Sequence, residues 1–155
     1  MDKTNVMRLL DAKKISFKPF FFSVEVAPTG SEMADALGLK HESTFKTLVT
    51  KSGKNINYVF MIPVDEELDL KKCAKAVNEK SIEMIKSKDL LSLTGYVHGG
   101  CSPIGMKKPF KTVIHESALE FSKIVFSAGK IGYMVEVSPL DLKKIVNYTT
   151  YDIKV

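Results

Sequence analysis

Glycine is concentrated in one short segment of this chain, and that concentration limits where regular structure can lie. Residues 95–105, GYVHGGCSPIG, hold four of the nine glycines. Glycine destabilises the interior of helices and strands, and it tolerates backbone dihedrals that other residues avoid. The segment therefore predicts either a difficult turn or a place where the backbone closely approaches something that is not protein.

Helices and strands are predicted on both sides of this segment, in an irregular order. Thr29 and Glu32 have the spacing of a capping box, and Ser138 as a cap followed by Pro139 predicts a second helix start. Residues 44–64 have the pattern of two strands around a turn, and three strand-like runs follow the glycine segment. Because there is no regular βαβ alternation, the sequence predicts a mixed α/β fold, α+β-like rather than doubly wound.

The composition is typical of one soluble globular domain. The chain has 155 residues, of which 45% are hydrophobic and 26% charged, with no internal repeat or linker, so we predict a single domain over residues 1–155. Cys73 and Cys101 lie far apart, and the first residues lack the apolar region of a signal peptide. No apolar run approaches the ~20 residues of a membrane helix. These features predict a reduced, cytoplasmic setting without membrane association.

The positive charge of the chain comes almost entirely from lysine. There are 23 Lys and Arg against 18 Asp and Glu, a formal net charge of +5, and Arg8 is the only arginine. A lysine ammonium is a point charge that suits phosphate, whereas base recognition favours the arginine fork. We therefore expect weak, sequence-independent contacts with a nucleic-acid backbone and no specific binding of DNA.

The cysteines and histidines are the candidate reactive or metal-binding groups of the chain. Cys101 follows His98 by three residues, which leaves two interpretations: a thiolate–imidazole pair, or a small residue packed in a turn. No third group that would orient such a pair is evident, which favours packing. The three histidines and two cysteines show no metal-site spacing, and no glycine motif for nucleotide phosphates is present. We expect no metal and no cofactor.

Lys46 lies in the middle of a predicted strand, FKTLVT. Strand alternation puts it on the same face as Leu48 and opposite Thr47. Two interpretations remain open at this point. The lysine either lays its stem over apolar surface with its ammonium in water, or it points into partly apolar space for a functional reason.

The whole chain resembles the YbaK/EbsC family, free-standing relatives of the editing domain of bacterial prolyl-tRNA synthetases. The resemblance rests on the order and spacing of six segments: LLDAKKISF, FKTLV, LDLKKCAKAV, TGYVHGGCSPIGMKK, FSAGKIG and DLKKI. It implies a compact mixed β-barrel surrounded by helices, and the hydrolysis of amino acids wrongly attached to tRNA. For the YbaK branch it implies Cys-tRNA(Pro) as substrate, bound at its 3′ end, and a transient complex with prolyl-tRNA synthetase.

The resemblance also implies roles for individual residues. Lys46 corresponds to the functional lysine of the family, and 99–103 matches its GxxxP loop, in which Gly99 and Gly100 give the ester access to backbone N–H groups. The family has no obvious enzyme nucleophile, and the thiol of the substrate cysteine attacks its own ester. We expect further residues to contact the substrate: Phe22, Thr47, Cys101, Ser102, Pro103, Gly129, Lys130 and Met134.

Two positions depart from the family pattern. Phe22 stands where tyrosine is frequent, and Met134 where aspartate is found, so both remove polar contacts and leave the amino-acid specificity open. One alternative is a deacylase of Ala-tRNA(Pro), or of another small misacylated residue, that uses an activated water. Another is a module that binds tRNA or a synthetase without catalysis, against which the retention of Lys46 and the intact loop argue.

Overall fold

The computed structural model describes residues 2–155. Within this range no helix is both long enough and apolar enough to cross a lipid bilayer. The helices of the described residues are α1 Asn5–Ala12, α2 Gly30–Leu37, α3 Leu70–Ala76, α4 Leu90–Thr94 and α5 Pro139–Leu142. Short 3₁₀ segments occupy His41–Ser43, Ser87–Asp89 and Glu116–Glu120.

The strands of the described residues form two sheets. They are β1 Lys18–Phe21, β2 Phe45–Ser52, β3 Asn57–Pro63, β4 Ile82–Met84, β5 Lys111–His115, β6 Ile124–Ser127, β7 Tyr133–Val137 and β8 Tyr148–Tyr151. The larger sheet has the order β4–β2–β3–β5–β8, and the smaller has the order β1–β7–β6. β2 is antiparallel to β3 and β4, whereas β5 is parallel to both β3 and β8, so the larger sheet is mixed.

The two sheets meet at the start of β2. Thr44, directly before β2, forms a parallel bridge with Val125 of β6. The smaller sheet is antiparallel throughout, and β1 is one of its edges, where Pro19 has no N–H to donate. The mixed α/β fold class predicted from the sequence is confirmed.

Apolar clusters cover both faces of the larger sheet. Met61 of β3 packs in a cluster with Leu10 of α1, whereas Phe60 and Ile62 pack in a second cluster with Cys73 of α3. Successive side chains of a strand point to opposite faces, so β3 is buried on both. This double burial explains why β3 is a nearly continuous apolar run instead of an alternating one.

Two predicted helix starts have different outcomes. The capping box is confirmed, since the Thr29 hydroxyl accepts the Glu32 N–H at 3.1 Å and the Glu32 carboxylate accepts the Thr29 N–H at 2.8 Å. Ser138 holds the N-cap position of α5, but its side chain makes no capping hydrogen bond, so that part of the prediction is wrong. Pro139 begins the helix with its fixed φ and has no N–H to cap.

Gly132 stabilises the junction between the β6–β7 turn and the chain that follows β1. Its φ is 86°, and its carbonyl accepts the Phe22 N–H at 2.9 Å. A Cβ at this position would lie 2.5 Å from the Phe22 carbonyl oxygen. Gly38 also has a positive φ, 68°, which favours glycine. A Cβ at Gly38, however, would have no atom within 4 Å.

Replacement of Gly132 by alanine should therefore destabilise the fold more than the matched replacement of Gly38. We expect Gly38→Ala to lower the free energy of unfolding by about 1 kcal/mol through backbone strain alone. Gly132→Ala should lower it by about 3 kcal/mol, because a main-chain contact must also move. Urea denaturation measures both values. Equal losses would contradict the prediction, because they would show that the Phe22 carbonyl moves away from the new Cβ at no cost.

Candidate active site

A cleft of about 490 Å³ opens where the two sheets meet. The first half of β2 lies along one side, and the first residues of α2 with Met33 lie along the other. The turn at residues 98–101 and the ends of β6 and β7 close it. Segments that are distant in the sequence therefore build a single concave site.

The edge of β2 that faces the cleft lacks a partner strand. β4 pairs only with the last three residues of β2, and the Ile85 N–H reaches the Val49 carbonyl at 3.4 Å. On the other edge, the Val64 N–H donates to the Thr44 carbonyl at 2.9 Å. Counting from this bonded pair along the β2–β3 register, Thr47 and Met61 form a non-hydrogen-bonded pair. Because bonded and non-bonded pairs alternate, Thr47 directs its N–H and C=O away from β3 and into the cleft.

The side chain of Thr47 adds a third polar group at this edge. Its Oγ1 is buried and has no hydrogen-bond partner among residues 2–155. Leaving such a group unpaired costs about 1–3 kcal/mol, so buried hydroxyls normally find a partner. The hydroxyl of Thr47 is thus available to a molecule in the cleft, beside the N–H and C=O that this residue directs away from β3.

Lys46 lines the same cleft from the other face of β2. It shares that face with Leu48, as predicted, and Leu48 packs against the α3 cluster. Lys46 is partly buried, and within the described residues no carboxylate forms a salt bridge with its ammonium. The lysine therefore combines a partly covered stem with a charge that is free to meet a ligand.

The glycine-rich segment reaches the cleft as a tight turn. Gly100 donates its N–H to the Val97 carbonyl at 3.0 Å, and Gly99 has a φ of 88°, the combination found in a type II turn. Gly99 lines the cleft, whereas a Cβ on the buried Gly100 would lie 3.1 Å from the Ile131 nitrogen. Among residues 2–155 the N–H groups of Gly99 and Cys101 have no partner. Gly100 thus forms the turn, and its own N–H is already used.

Cys101 is a packed residue and not an activated thiol. It is buried in a cluster with Val49 and Val59. Burial raises the pKa of its thiol to about 12, outweighing a hydrogen bond to Thr94 that lowers it. His98 is exposed, and no hydrogen bond joins it to Cys101. The packing interpretation of the sequence agrees with this environment.

The cleft brings together five of the predicted site residues: Lys46, Thr47, Gly99, Cys101 and Met134. The other six do not line it. Ser102 and Pro103 are buried behind the turn, and Gly129 and Lys130 border a separate cavity beside α1. Phe22 is exposed just after β1 and touches Gly132 instead.

Sequence reasoning missed most of the other residues that line the cleft, among them Met33 of α2 and Ser127 at the end of β6. Met33 packs with Met134 and Val125 in a small apolar cluster. No spacing in the sequence relates these residues, because they meet only through the junction of the sheets. Within residues 2–155 no three His, Cys, Asp or Glu side chains are grouped as metal ligands.

Residues 24–145, which include most of the segments that build the cleft, match the model of the aminoacyl-tRNA editing domain family. The chain belongs to this family. A curated relative, EbsC of Enterococcus faecalis, named as a candidate Cys-tRNA(Pro)/Cys-tRNA(Cys) deacylase, is 44% identical over 146 residues, 94% of this chain and 89% of EbsC. The proline–tRNA ligase of Fervidobacterium nodosum is 32% identical over 79 residues, 51% of this chain and 14% of the ligase.

Solved structures share the fold of this editing domain. The crystal structure of a candidate trans-editing enzyme for prolyl-tRNA synthetase superposes with a TM-score of 0.82 at 22% identity, covering 97% of this chain and 94% of that one. The hypothetical protein APE2540 superposes with a TM-score of 0.88 at 20% identity, covering 98% and 100%. The family implied by the sequence resemblance is confirmed, and the chain has the mixed α/β fold of these editing domains, built from two sheets.

A hydrogen-bonded network links two segments whose neighbouring residues line the cleft of this editing domain. The His41 ring bonds Asp65 through Nδ1 at 2.8 Å and Asp35 of α2 through Nε2 at 2.7 Å. The hydrogen bonds with Asp35 and then Asp65 raise the pKa of His41 above 6.5, since both bonds favour the doubly protonated ring. The ring therefore joins α2, one side of the cleft, to the segment that follows β3.

This network predicts a pH-dependent contribution to stability. Because the pKa of His41 is raised in the folded protein, its stabilisation is complete below pH 6.5 and is lost as the pH rises through the raised value. The melting temperature of the wild type should exceed that of His41→Ala by more at about pH 6 than at about pH 8.5.

Calorimetry over this range measures the two differences. His98→Ala is the matched control, because His98 is exposed and makes no ion pair with the described residues. Its difference from the wild type should not vary with pH. A His41→Ala difference that is constant, or that grows with pH, would contradict the charged state of the ring.

Proposed function

We propose that this chain is a trans-editing deacylase that hydrolyses Cys-tRNA(Pro). The observation that carries the proposal is the convergence, in a member of the editing-domain family, of the open edge at Thr47, the unpaired ammonium of Lys46 and the turn at Gly99. The 44% identity to EbsC supports cysteine as the amino acid removed. The same relative is named for Cys-tRNA(Cys) as well, which makes the tRNA body a separate question.

The turn supplies the hydrogen-bond donors of the reaction. Hydrolysis of an aminoacyl ester passes through a tetrahedral centre with negative charge on oxygen, which preorganised N–H groups stabilise. We assign this role to the N–H groups of Gly99 and Cys101, which are unpaired among the described residues. Glycine is required at position 99 by the turn itself, because its φ is 88° and a Cβ there would lie 2.9 Å from the Ala27 Cβ. Gly100 contributes through the bond that holds the turn closed.

The two neighbouring residues of β2 bind the rest of the acceptor end. The ammonium of Lys46 pairs with phosphate or hydroxyl groups of the 3′-terminal adenosine, a task that needs only a point charge. The carbonyl and hydroxyl of Thr47 accept hydrogen bonds from the α-ammonium group of the amino acid. Binding thus gives the buried Thr47 hydroxyl the partner that the described residues do not supply.

The substrate itself supplies the nucleophile. The thiol of Cys101 stays protonated, because burial raises its pKa to about 12. In the substrate, the cysteine thiolate attacks the ester carbonyl carbon: a C–S bond forms, the C–O bond to the ribose breaks, and the ribose oxygen takes up a proton. Water later opens the cyclic thiolactone to free cysteine. Holding the thiolate against its own carbonyl provides the proximity that accelerates such a step.

Selection of the tRNA requires more than this cleft. The chain has a single arginine, Arg8, and its lysines suit phosphate contacts that are independent of sequence. A transient complex with prolyl-tRNA synthetase, in the cytoplasm where tRNA is charged, would deliver the mischarged tRNA(Pro).

A second candidate activity is the removal of alanine or another small residue by an activated water. The apolar side chains of Met33 and Met134 favour it, because they would accept a methyl group as readily as a thiol. A non-catalytic binding module is disfavoured, because the turn and the free ammonium of Lys46 are both retained.

Lys46→Ala should lower kcat/KM for Cys-tRNA(Pro) by roughly 10- to 100-fold, the loss expected for one hydrogen bond to a charged group. Deacylation of the labelled substrate measures the change, and circular dichroism checks the fold. Lys51→Ala is the matched control: Lys51 lies on the same strand but pairs with Glu83 at 3.6 Å, away from the cleft. Full activity in a folded Lys46→Ala protein would remove Lys46 from the site.

Replacing cysteine by serine on the same tRNA should nearly stop the reaction. The two side chains are similar in size, so the pocket alone discriminates modestly. A thiol with a pKa of about 8.5 is a few per cent thiolate near neutral pH, whereas a hydroxyl has no comparable anionic fraction. Mass spectrometry should detect the thiolactone. Rapid hydrolysis of Ser- and Ala-tRNA(Pro) without thiolactone would replace the first candidate by the activated-water reaction.

A further inference from the structure

The ammonium of Lys46 remains unpaired although the chain brings a carboxylate to the same region. Asp65 follows Val64, which lines the cleft together with Lys46 and donates its N–H to Thr44, two residues before Lys46. Hydrogen bonding to Ser31 lowers the pKa of Asp65 most, the pair with His41 lowers it further, and the positive charge of Lys46 adds to the effect. Yet Lys46 and Asp65 form no salt bridge. The flexible four-carbon stem of a lysine lets its ammonium reach a neighbouring carboxylate, and the bonds that Asp65 already makes explain why it does not do so here.

Both oxygens of the Asp65 carboxylate are already engaged. Oδ1 accepts the hydroxyl hydrogen of Ser31, the second residue of α2. Oδ2 accepts Nδ1–H of His41 at 2.8 Å, while the other nitrogen of the ring bonds Asp35 at 2.7 Å. The carboxylate is therefore fixed in orientation by two elements and directed toward the α2 side of the cleft.

We infer that His41 is a positioning residue that prevents Asp65 from capturing Lys46, and so keeps the lysine ammonium free for the substrate. This inference rests on the proposed role of Lys46 in holding the acceptor end. The charged groups around the ring are Asp35, Asp65 and, beyond Asp65, Lys46. An imidazolium neutralises the carboxylate that would otherwise be the strongest competitor for the lysine.

The consequence of losing His41 follows from the same geometry. Oδ2 of Asp65 becomes free, its charge is no longer compensated by the ring, and the four-carbon stem of Lys46 allows the ammonium to move toward it. A lysine paired in this way must break its ion pair before it meets phosphate. The loss should therefore appear as weaker substrate binding, with the chemical step largely unchanged.

The test is a set of deacylation measurements on Cys-tRNA(Pro) with four variants: His41→Ala, Asp65→Asn, the double variant and Asp35→Asn. His41→Ala should raise KM about fivefold with little change in kcat, the size that one partly exposed ion pair supports. Asp65→Asn removes the competing charge, so the double variant should return to the KM of the wild type. Asp35→Asn leaves the bond between His41 and Asp65 in place and should have the smaller effect.

A purely structural role for His41 predicts a different pattern. In that case the double variant would be at least as impaired as His41→Ala, and kcat would fall together with the melting temperature. Either result would overturn the inference. Rescue by Asp65→Asn cannot arise from repaired packing, because it removes a second member of the same network.

A binding measurement separates this inference from the proposed function. Fluorescence anisotropy with uncharged tRNA(Pro) needs no catalysis, so it reports on Lys46 even if the wild type proves inactive on Cys-tRNA(Pro). We expect His41→Ala to weaken binding and Asp65→Asn to restore it. In a Lys46→Ala background, His41→Ala should have no effect on affinity. A persistent effect there would show that His41 acts without Lys46.

Discussion

The short length of β4 is the constraint on which the candidate site depends. Because β4 pairs with only the last three residues of β2, Thr47 in the first half of β2 has no β4 residue opposite it on this edge. An open strand edge is normally a liability, since it invites pairing with another chain. Here α2 and the turn at residues 98–101 enclose the edge, so that it faces a cleft instead of bulk solvent. We propose that this edge binds the acceptor end of the substrate.

Local sequence patterns predicted the parts of the fold that depend on local chemistry. The capping box of α2 and the opposite facing of Lys46 and Thr47 need only neighbours in the chain, and both are present. Ser138 is the exception: it holds the N-cap position of α5, but its side chain makes no capping hydrogen bond. The fold family followed from several ordered segments, and the comparisons confirm it.

The rest of the site depends on contacts that local patterns do not encode. The resemblance implies that Gly99 and Gly100 give the ester access to backbone N–H groups, but the N–H of Gly100 closes the turn, a use that only the position of Val97 reveals. His41 appeared in the sequence as an isolated histidine without metal spacing. Its partners, Asp35 and Asp65, come from two other segments that converge beside β2. No alternation or spacing rule predicts such a meeting.

The parallel pairing of the larger sheet has a consequence for how the chain folds. β2 and β3 are joined by a tight turn. In contrast, Met61 of β3 pairs with Ile114 of β5, and β5 pairs with β8, which begins only at Tyr148. When two paired strands are far apart in the chain, the entropy of closing the long loop between them is lost before their contacts form. Such pairings therefore slow folding. During synthesis the hairpin can form early, while its second edge stays uncovered until most of the chain has left the ribosome. The slow step of folding is therefore expected to be the docking of β5 and β8.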